Sequence, residues 1–172
     1  MAKHIGKRGR MRDDVEQFSW FFRSEFEAVV NTAQLVLGDR QEAQDVAQEA
    51  FLRLLKHWKK VARYERPDAW VRTVAFRLAL TAKRKRRAHS LLHSDPPAPP
   101  DGWNFADDEL SDAIGSLSLM QRAAIVLFYF EDRPMAEVAQ ILGCSTSTAK
   151  VHVHKARKKL ATLITGEVLN VS

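Results

Sequence analysis

A chain of 172 residues with 45% apolar side chains, four Trp and nine Phe can bury one ordinary domain or two small ones. Its formal charge of +6 and pI near 9.7 make a polyanion the natural partner, nucleic acid first and an anionic membrane surface second. A single cysteine, Cys144, excludes an internal disulfide, six His offer no ligand set at zinc spacing, and no apolar run reaches bilayer length. No metal, cofactor or membrane insertion is therefore expected, and the chain reads as cytoplasmic.

Residues 1–12, MAKHIGKRGRMR, are basic with little to bury; they lack the apolar core of a signal peptide and read as a mobile tail. From Val15 to Leu37, residues Phe18, Phe21, Phe22, Phe26, Val29, Val30, Ala33 and Val36 recur at helical spacing, giving one or two helices that end at Gly38. The run DRQE, Asp39–Glu42, has the form of a capping box, with Glu42 reaching back to the cap. The helix it starts carries Ala43, Val46, Ala47, Ala50, Phe51, Leu54, Trp58 and Val61 on one stripe and leaves Gln44, Asp45, Gln48, Glu49 and Arg53 outside it. One face packs, and the other is free to meet a partner or only water.

KKVARYERPD breaks the pattern, and Pro67 suits the first turn of a third helix bearing Trp70, Val71, Val74, Ala75 and Leu78. That helix closes on the cationic run KRKRR, Lys83–Arg87. Four prolines and a glycine within SLLHSDPPAPPDGWNFAD then forbid a continuous helix. The expected organisation is thus a tail over 1–12, a helical unit over 13–88, a flexible Pro-rich linker over 89–107, a second helical unit over 108–166 and a tail over 167–172. The fold class is all-α.

In the second unit, helical patterns run from Glu109 to Leu117, from the box-like SLMQ at Ser118–Gln121 onward, and from Pro134 to a stop at Gly143. Ser145 can cap one more helix, so a short helix, a glycine turn and a longer helix form a helix-turn-helix pattern. Ala149, Val153, Ala156, Leu160 and Leu163 give the last helix a docking side. Its opposite side presents Ser147, Val151, His154 and Lys158, flanked by Lys150, Lys155 and Arg157, with Thr146 at the N-terminal end. Such a face suits major-groove reading with cationic neighbours on phosphates, although a merely solvated surface has the same composition. His152 and His154, two apart, diverge on a helix and make no metal pair.

Two segments resemble the extracytoplasmic-function, or group IV, sigma factors of the sigma-70 class. GDRQEAQDVAQEAFLRLLKHWKKV with RPDAWVRTVAFRLALTAKRKRR looks like the family's region 2, and LSLMQRAAIVLFYFEDRPMAEVAQILGCSTSTAKVHVHKARKKL like region 4. The resemblance implies a factor that binds bacterial core RNA polymerase, directs it to promoters and helps open the DNA. It implies that Asp45, Gln48, Glu49, Phe51 and Leu52, matching the family's DxxQExF segment, dock on the clamp helices of the largest polymerase subunit, with region 4 on the flap. It implies that Lys59, Lys60, Arg63, Tyr64, Arg72, Arg77, Lys83 and Arg84 meet the nontemplate strand of the −10 element, with Tyr64 the stacking candidate and Trp58 and Trp70 better read as core. Thr146, Ser147, Lys150, Val151, His154, Arg157 and Lys158 would then meet the −35 duplex, and an anti-sigma factor is an expected partner.

This chain departs from the family where relatives commonly carry NLAIDxxR: it has RLALTAKR, with Arg77 and Thr81 in place of Asn and Asp. Val151 and His152 likewise stand where Ser and Arg are frequent, so a promoter sequence does not transfer from relatives. Two other functions remain to be weighed. A metal-dependent nuclease would use Asp39, Glu42, Asp45 and Glu49, but the first two are explained as a cap and no general base joins them; no enzymatic activity is expected. A stand-alone helix-turn-helix regulator would need only the second unit, leaving the acidic face and aromatic loop of the first unexplained.

Overall fold

A computed structural model describes residues 5–93 and 108–170. The first unit is three helices, α1 (Ile5–Leu37), α2 (Arg40–Val61) and α3 (Pro67–His93). The second is α4 (Asp108–Gly115), α5 (Leu119–Ile125), which runs into a π-helical turn at Val126–Phe130, then α6 (Met135–Leu142) and α7 (Thr146–Asn170). No strand occurs among the described residues, as the absence of period-two alternation requires.

Local signals place most helix ends. Gly38, at φ 79°, turns the chain out of α1, and Asp39 then caps α2, its Oδ1 accepting from the Glu42 N–H at 2.7 Å. The reciprocal half of that box differs from expectation: the Glu42 carboxylate pairs with Arg86 of the KRKRR run. The Ser118 box is complete, with Ser118 Oγ accepting from the Gln121 N–H and the Ser118 N–H donating to Gln121 Oε1, both at 3.4 Å.

Three boundaries differ from the sequence reading. α1 is one helix and starts at Ile5, so residues 5–12 extend it and only residues 1–4 of the expected tail lie outside the described residues. α3 runs to His93, five residues into the expected linker, because nothing before Pro96 removes a backbone donor; residues 94–107 lie outside the described residues. α7 continues to Asn170, past the expected boundary at 166.

The first unit is held by an aromatic cluster between α1 and α2. Trp58, buried, packs edge-on against Phe18 at 5.4 Å and tilted against Phe21 at 5.2 Å, while Phe51 lies between Phe22 at 5.0 Å and Phe26 at 5.7 Å. Rings at these separations gain from their quadrupoles beyond the apolar area they bury. In the second unit Ile114, Leu117, Ile125, Val126, Val138, Ile141, Ala149, Val153 and Ala156 are buried among α4 to α7.

The two units touch. Arg122 on α5, 7% exposed, donates to the carbonyl of Val36 near the end of α1 at 2.9 Å and also to Ile114, Gly115 and Leu117. Burial pushes its pKa below the ordinary value. Lys83 of α3 donates to the neighbouring Leu37 carbonyl at 3.1 Å, so the C-terminus of α1 receives two cations where its dipole is negative.

Candidate nucleic-acid interface and partner face

α6 ends where Gly143, at φ 70° and ψ 35°, lets the Cys144 N–H donate to the Ala139 carbonyl at 3.0 Å and its own N–H to Gln140 at 3.3 Å. This paired closure fixes the direction in which the chain leaves the helix. Cys144 is half-buried against the core. Ser145 then caps α7, its Oγ accepting from the Thr148 N–H at 3.1 Å. Turn and cap together set α7 across the second unit.

Ala149, Val153 and Ala156 dock α7 and are 5% exposed or less. Thr146, Ser147, Lys150, Val151, His154, Arg157 and Lys158 are all exposed on the other side. Every residue expected to face the −35 duplex is therefore presented together along one helical face. Among the described residues, nothing in the second unit covers the N-terminal turns of that face.

In the first unit, Asp45, Gln48, Glu49 and Leu52 form an exposed stripe on α2, and Glu49 holds Arg53 at 2.8 Å along the same side. Phe51, expected in this set, is instead 3% exposed and sits inside the aromatic cluster. It can support the stripe but not touch a partner. Leu55, 52% exposed, extends the stripe and was not anticipated. The helical period already set Phe51 and Leu54 on the packing stripe, and the structure bears out that placement over the one implied by the resemblance for Phe51; the signal for Leu55 was the spacing 48, 52, 55.

The last turn of α2 brings Lys59 and Lys60 to the surface and the loop after it Arg63 and Tyr64, the latter 41% exposed. Trp58 is buried and Trp70 half-buried beside His57 at 6.0 Å, so the core reading holds for the first and largely for the second. Along α3, Arg77 and Arg84 are exposed, and Arg84 reaches the Met120 sulfur at 3.5 Å. Lys83 is engaged by Leu37, and burial, with repulsion from Arg122 next, lowers its pKa. Arg72 does not reach solvent freely: its guanidinium holds Glu25 at 2.8 Å and Glu131 of the second unit at 3.3 Å. Burial opposes the Arg72 charge, but these carboxylates outweigh it and raise its pKa.

Among the described residues no three His, Cys, Asp or Glu side chains gather as a metal site, and no helix is long and apolar enough to cross a membrane. Asp39 and Glu42 serve the cap and Arg86, while Asp45 and Glu49 face outward, so the carboxylates that suggested a nuclease do not converge.

The described family models that match are sigma-70 region 2, over residues 21–89, and sigma-70 region 4, over residues 107–160. The chain is 33% identical over 132 residues to the ECF RNA polymerase sigma factor SigL of Mycobacterium tuberculosis, covering 72% of this chain and 75% of that one. It is 27% identical to the RNA polymerase sigma-E factor of Streptomyces coelicolor, covering 86% and 85%. Among solved structures it resembles the sigma factor RpoE of Bartonella quintana, determined with the anti-sigma factor NepR, at TM-score 0.65 and 23% identity over 87% of this chain and 98% of that one. At that identity the likeness concerns the fold.

Proposed function

The chain belongs to the extracytoplasmic-function sigma factors of the sigma-70 family, and from that premise we propose how its surfaces divide the work of transcription initiation. It acts as an alternative sigma factor with bacterial core RNA polymerase, in the cytoplasm and with no catalytic step of its own. The observation that carries this is the outward face of α7, where all seven residues expected at a −35 element are exposed together after a capped glycine turn. A helix so mounted reads base edges with its N-terminal residues and phosphates with its flanking cations. Here these are Thr146, Ser147, Lys150, Val151 and His154 for the groove, and Arg157 and Lys158 for the backbone.

The acidic and apolar stripe of Asp45, Gln48, Glu49 and Leu52, lengthened by Leu55, serves as the docking face for the clamp helices of the largest polymerase subunit. Lys59, Lys60, Arg63, Arg77 and Arg84 supply phosphate contacts to the melted −10 strand, and Tyr64 a stacking surface. The exposed rings of Tyr129 and Phe130, with Leu110, border a shallow groove of about 310 Å³ on the second unit that suits the polymerase flap. An anti-sigma factor that covers these faces fits the same surfaces.

Sigma-free core polymerase mixed with the purified chain tests the reading. Co-migration on a native gel, followed by specific initiation from a promoter library, is the expected result, and Glu49→Lys should weaken co-migration without unfolding the chain. Duplex binding with no co-migration of the wild-type chain would move the stand-alone regulator into first place.

A further inference from the structure

The outward side of α7 carries one side chain that can make no hydrogen bond. Among the described residues from Ser145 to Leu160, Val151 alone is both apolar and exposed, at 47%. At about 100° per residue it stands about 140–180° round the helix from Ala149, Val153, Ala156 and Leu160, which pack α7 against its unit. It is therefore the crest of the exposed face, in the second turn after the Ser145 cap. Ser147 and His154 lie one turn before and after it, with Lys150 and Lys155 to either side, all exposed.

Neither of the usual reasons for a valine applies at this position. A β-branched residue is a weaker helix former than Lys or Arg, and a side chain this exposed adds little to a core. Single apolar residues are ordinary on a surface that meets only water, but this one stands at the centre of the surface offered to the major groove. The base edges there present hydrogen-bond donors, acceptors and one apolar group, the C5-methyl of thymine. Valine complements only the methyl. Set against the amino group of cytosine or adenine, it would strip water from a donor and return no partner.

We propose that Val151 is a specificity-determining residue that reads a thymine C5-methyl, so that the −35 duplex this chain selects holds a thymine at the base pair beneath the crest of α7. The proposal rests on the −35 reading above and adds the chemistry read at its centre. His152, the neighbouring departure from the family pattern, is half-buried about 100° from the crest and has no part in it. Arg157 and Lys158 hold phosphates, which set the register of the helix without reading sequence.

A methyl contact has a signature that a hydrogen bond lacks, because uracil keeps every donor and acceptor of thymine and loses only the methyl. The test uses holoenzyme assembled from core polymerase and the full chain. Promoters that initiate are selected from a library randomised upstream of the −10 element. Each thymine of the selected −35 element, on either strand, is then replaced singly by uracil, and promoter binding is compared for wild type and Val151→Ala.

With wild type, one uracil should weaken binding by about fourfold, the factor for one methyl removed from water. With Val151→Ala that penalty should vanish, while uracil elsewhere in the element acts equally on both proteins. Val151→Thr, which keeps a methyl on a side chain of the same shape, should retain part of the penalty. At the same position 5-methylcytosine should bind wild type more tightly than cytosine does, and Val151→Ala should not tell them apart. Val151 is exposed, so these substitutions leave the fold intact, which thermal melts check.

A uracil penalty that survives Val151→Ala, or a selected element in which no thymine responds to loss of its methyl, would overturn the methyl reading and leave α7 as the −35 reader. No initiation, or initiation with no preferred sequence upstream of the −10 element, would remove the −35 reading and the proposal with it.

Discussion

Truncating Phe51 to alanine and Leu52 to alanine should separate the packed side of α2 from its partner face. Phe51 is 3% exposed and meets Phe21, Phe22 and Phe26 with ring centroids 5.0 to 6.3 Å away. Removing a buried Phe costs about 3–5 kcal/mol, and the loss of ring pairs worth about 0.5–1.5 kcal/mol each places Phe51→Ala in the upper half of that range. Leu52 is 55% exposed, so Leu52→Ala should leave stability within about 0.5 kcal/mol of wild type. On a polymerase surface that buries it, the same truncation should lose about 1–2 kcal/mol of binding, roughly tenfold in Kd. Urea unfolding by far-UV circular dichroism gives the first quantity, and titration of labelled core polymerase, corrected to folded protein, gives the second. Leu52→Ala that destabilises the chain by more than its exposure allows, or Phe51→Ala that weakens binding per folded molecule as much as Leu52→Ala does, would refute the assignment of inside and outside on α2.

Gly143→Ala should destabilise the chain by about 1–2 kcal/mol through left-handed backbone strain alone, since an added Cβ meets no atom within 4 Å; thermal melts check it. Lys158→Ala should lower the slope of log K against log salt for duplex binding by about 0.9, the contribution of one phosphate contact, with little change in base preference. Burial raises the Asp68 carboxyl, yet the Arg66 hydrogen bond at 2.9 Å outweighs it and the net pKa is lowered. The folded state therefore binds that proton less tightly, so its stabilisation is full above about pH 3.9 and is lost as pH falls through the lowered value. Asp68→Asn should flatten that acid limb in unfolding curves measured across pH. Lys83→Met should alter stability without changing the salt slope for single-stranded DNA, whereas exposed Arg84→Ala should do the reverse.

The caps were legible because they are local: Asp39, Ser118, Gly143 and Ser145 each declare a boundary within four residues of the backbone groups they satisfy. The α7 surface followed from those caps and the helical period, and all of its expected residues are exposed. The −10 set was only partly legible. Arg72 and Lys83 read from sequence as free cations, and their partners lie far along the chain, Glu131 and Leu37. Nothing in VLFYFEDRP distinguishes a π-helical turn from an ordinary helix end, yet that turn decides where Glu131 points. The start of α1 was missed for a different reason: Lys and Arg favour helix without burying anything, so periodicity is silent where residues 5–12 extend it.

The formal charge of +6 overstates what the chain can offer to DNA. Arg122 and Lys83 are committed to the carbonyls that end α1, Arg72 to Glu25 and Glu131, and Arg86 to Glu42. The commitments differ in kind. Lys83, Arg86 and Glu25 act within the first unit. Arg122 to Val36, Arg133 to Ala69 and Glu131 to Thr32 and Arg72 cross between units, beside buried apolar residues of both that form one continuous core. The aromatic cluster of Phe21, Phe51 and Trp58, by contrast, lies within one unit. The basic surface left for nucleic acid is the exposed set of Lys59, Lys60, Arg63, Arg77 and Arg84 together with the outward face of α7.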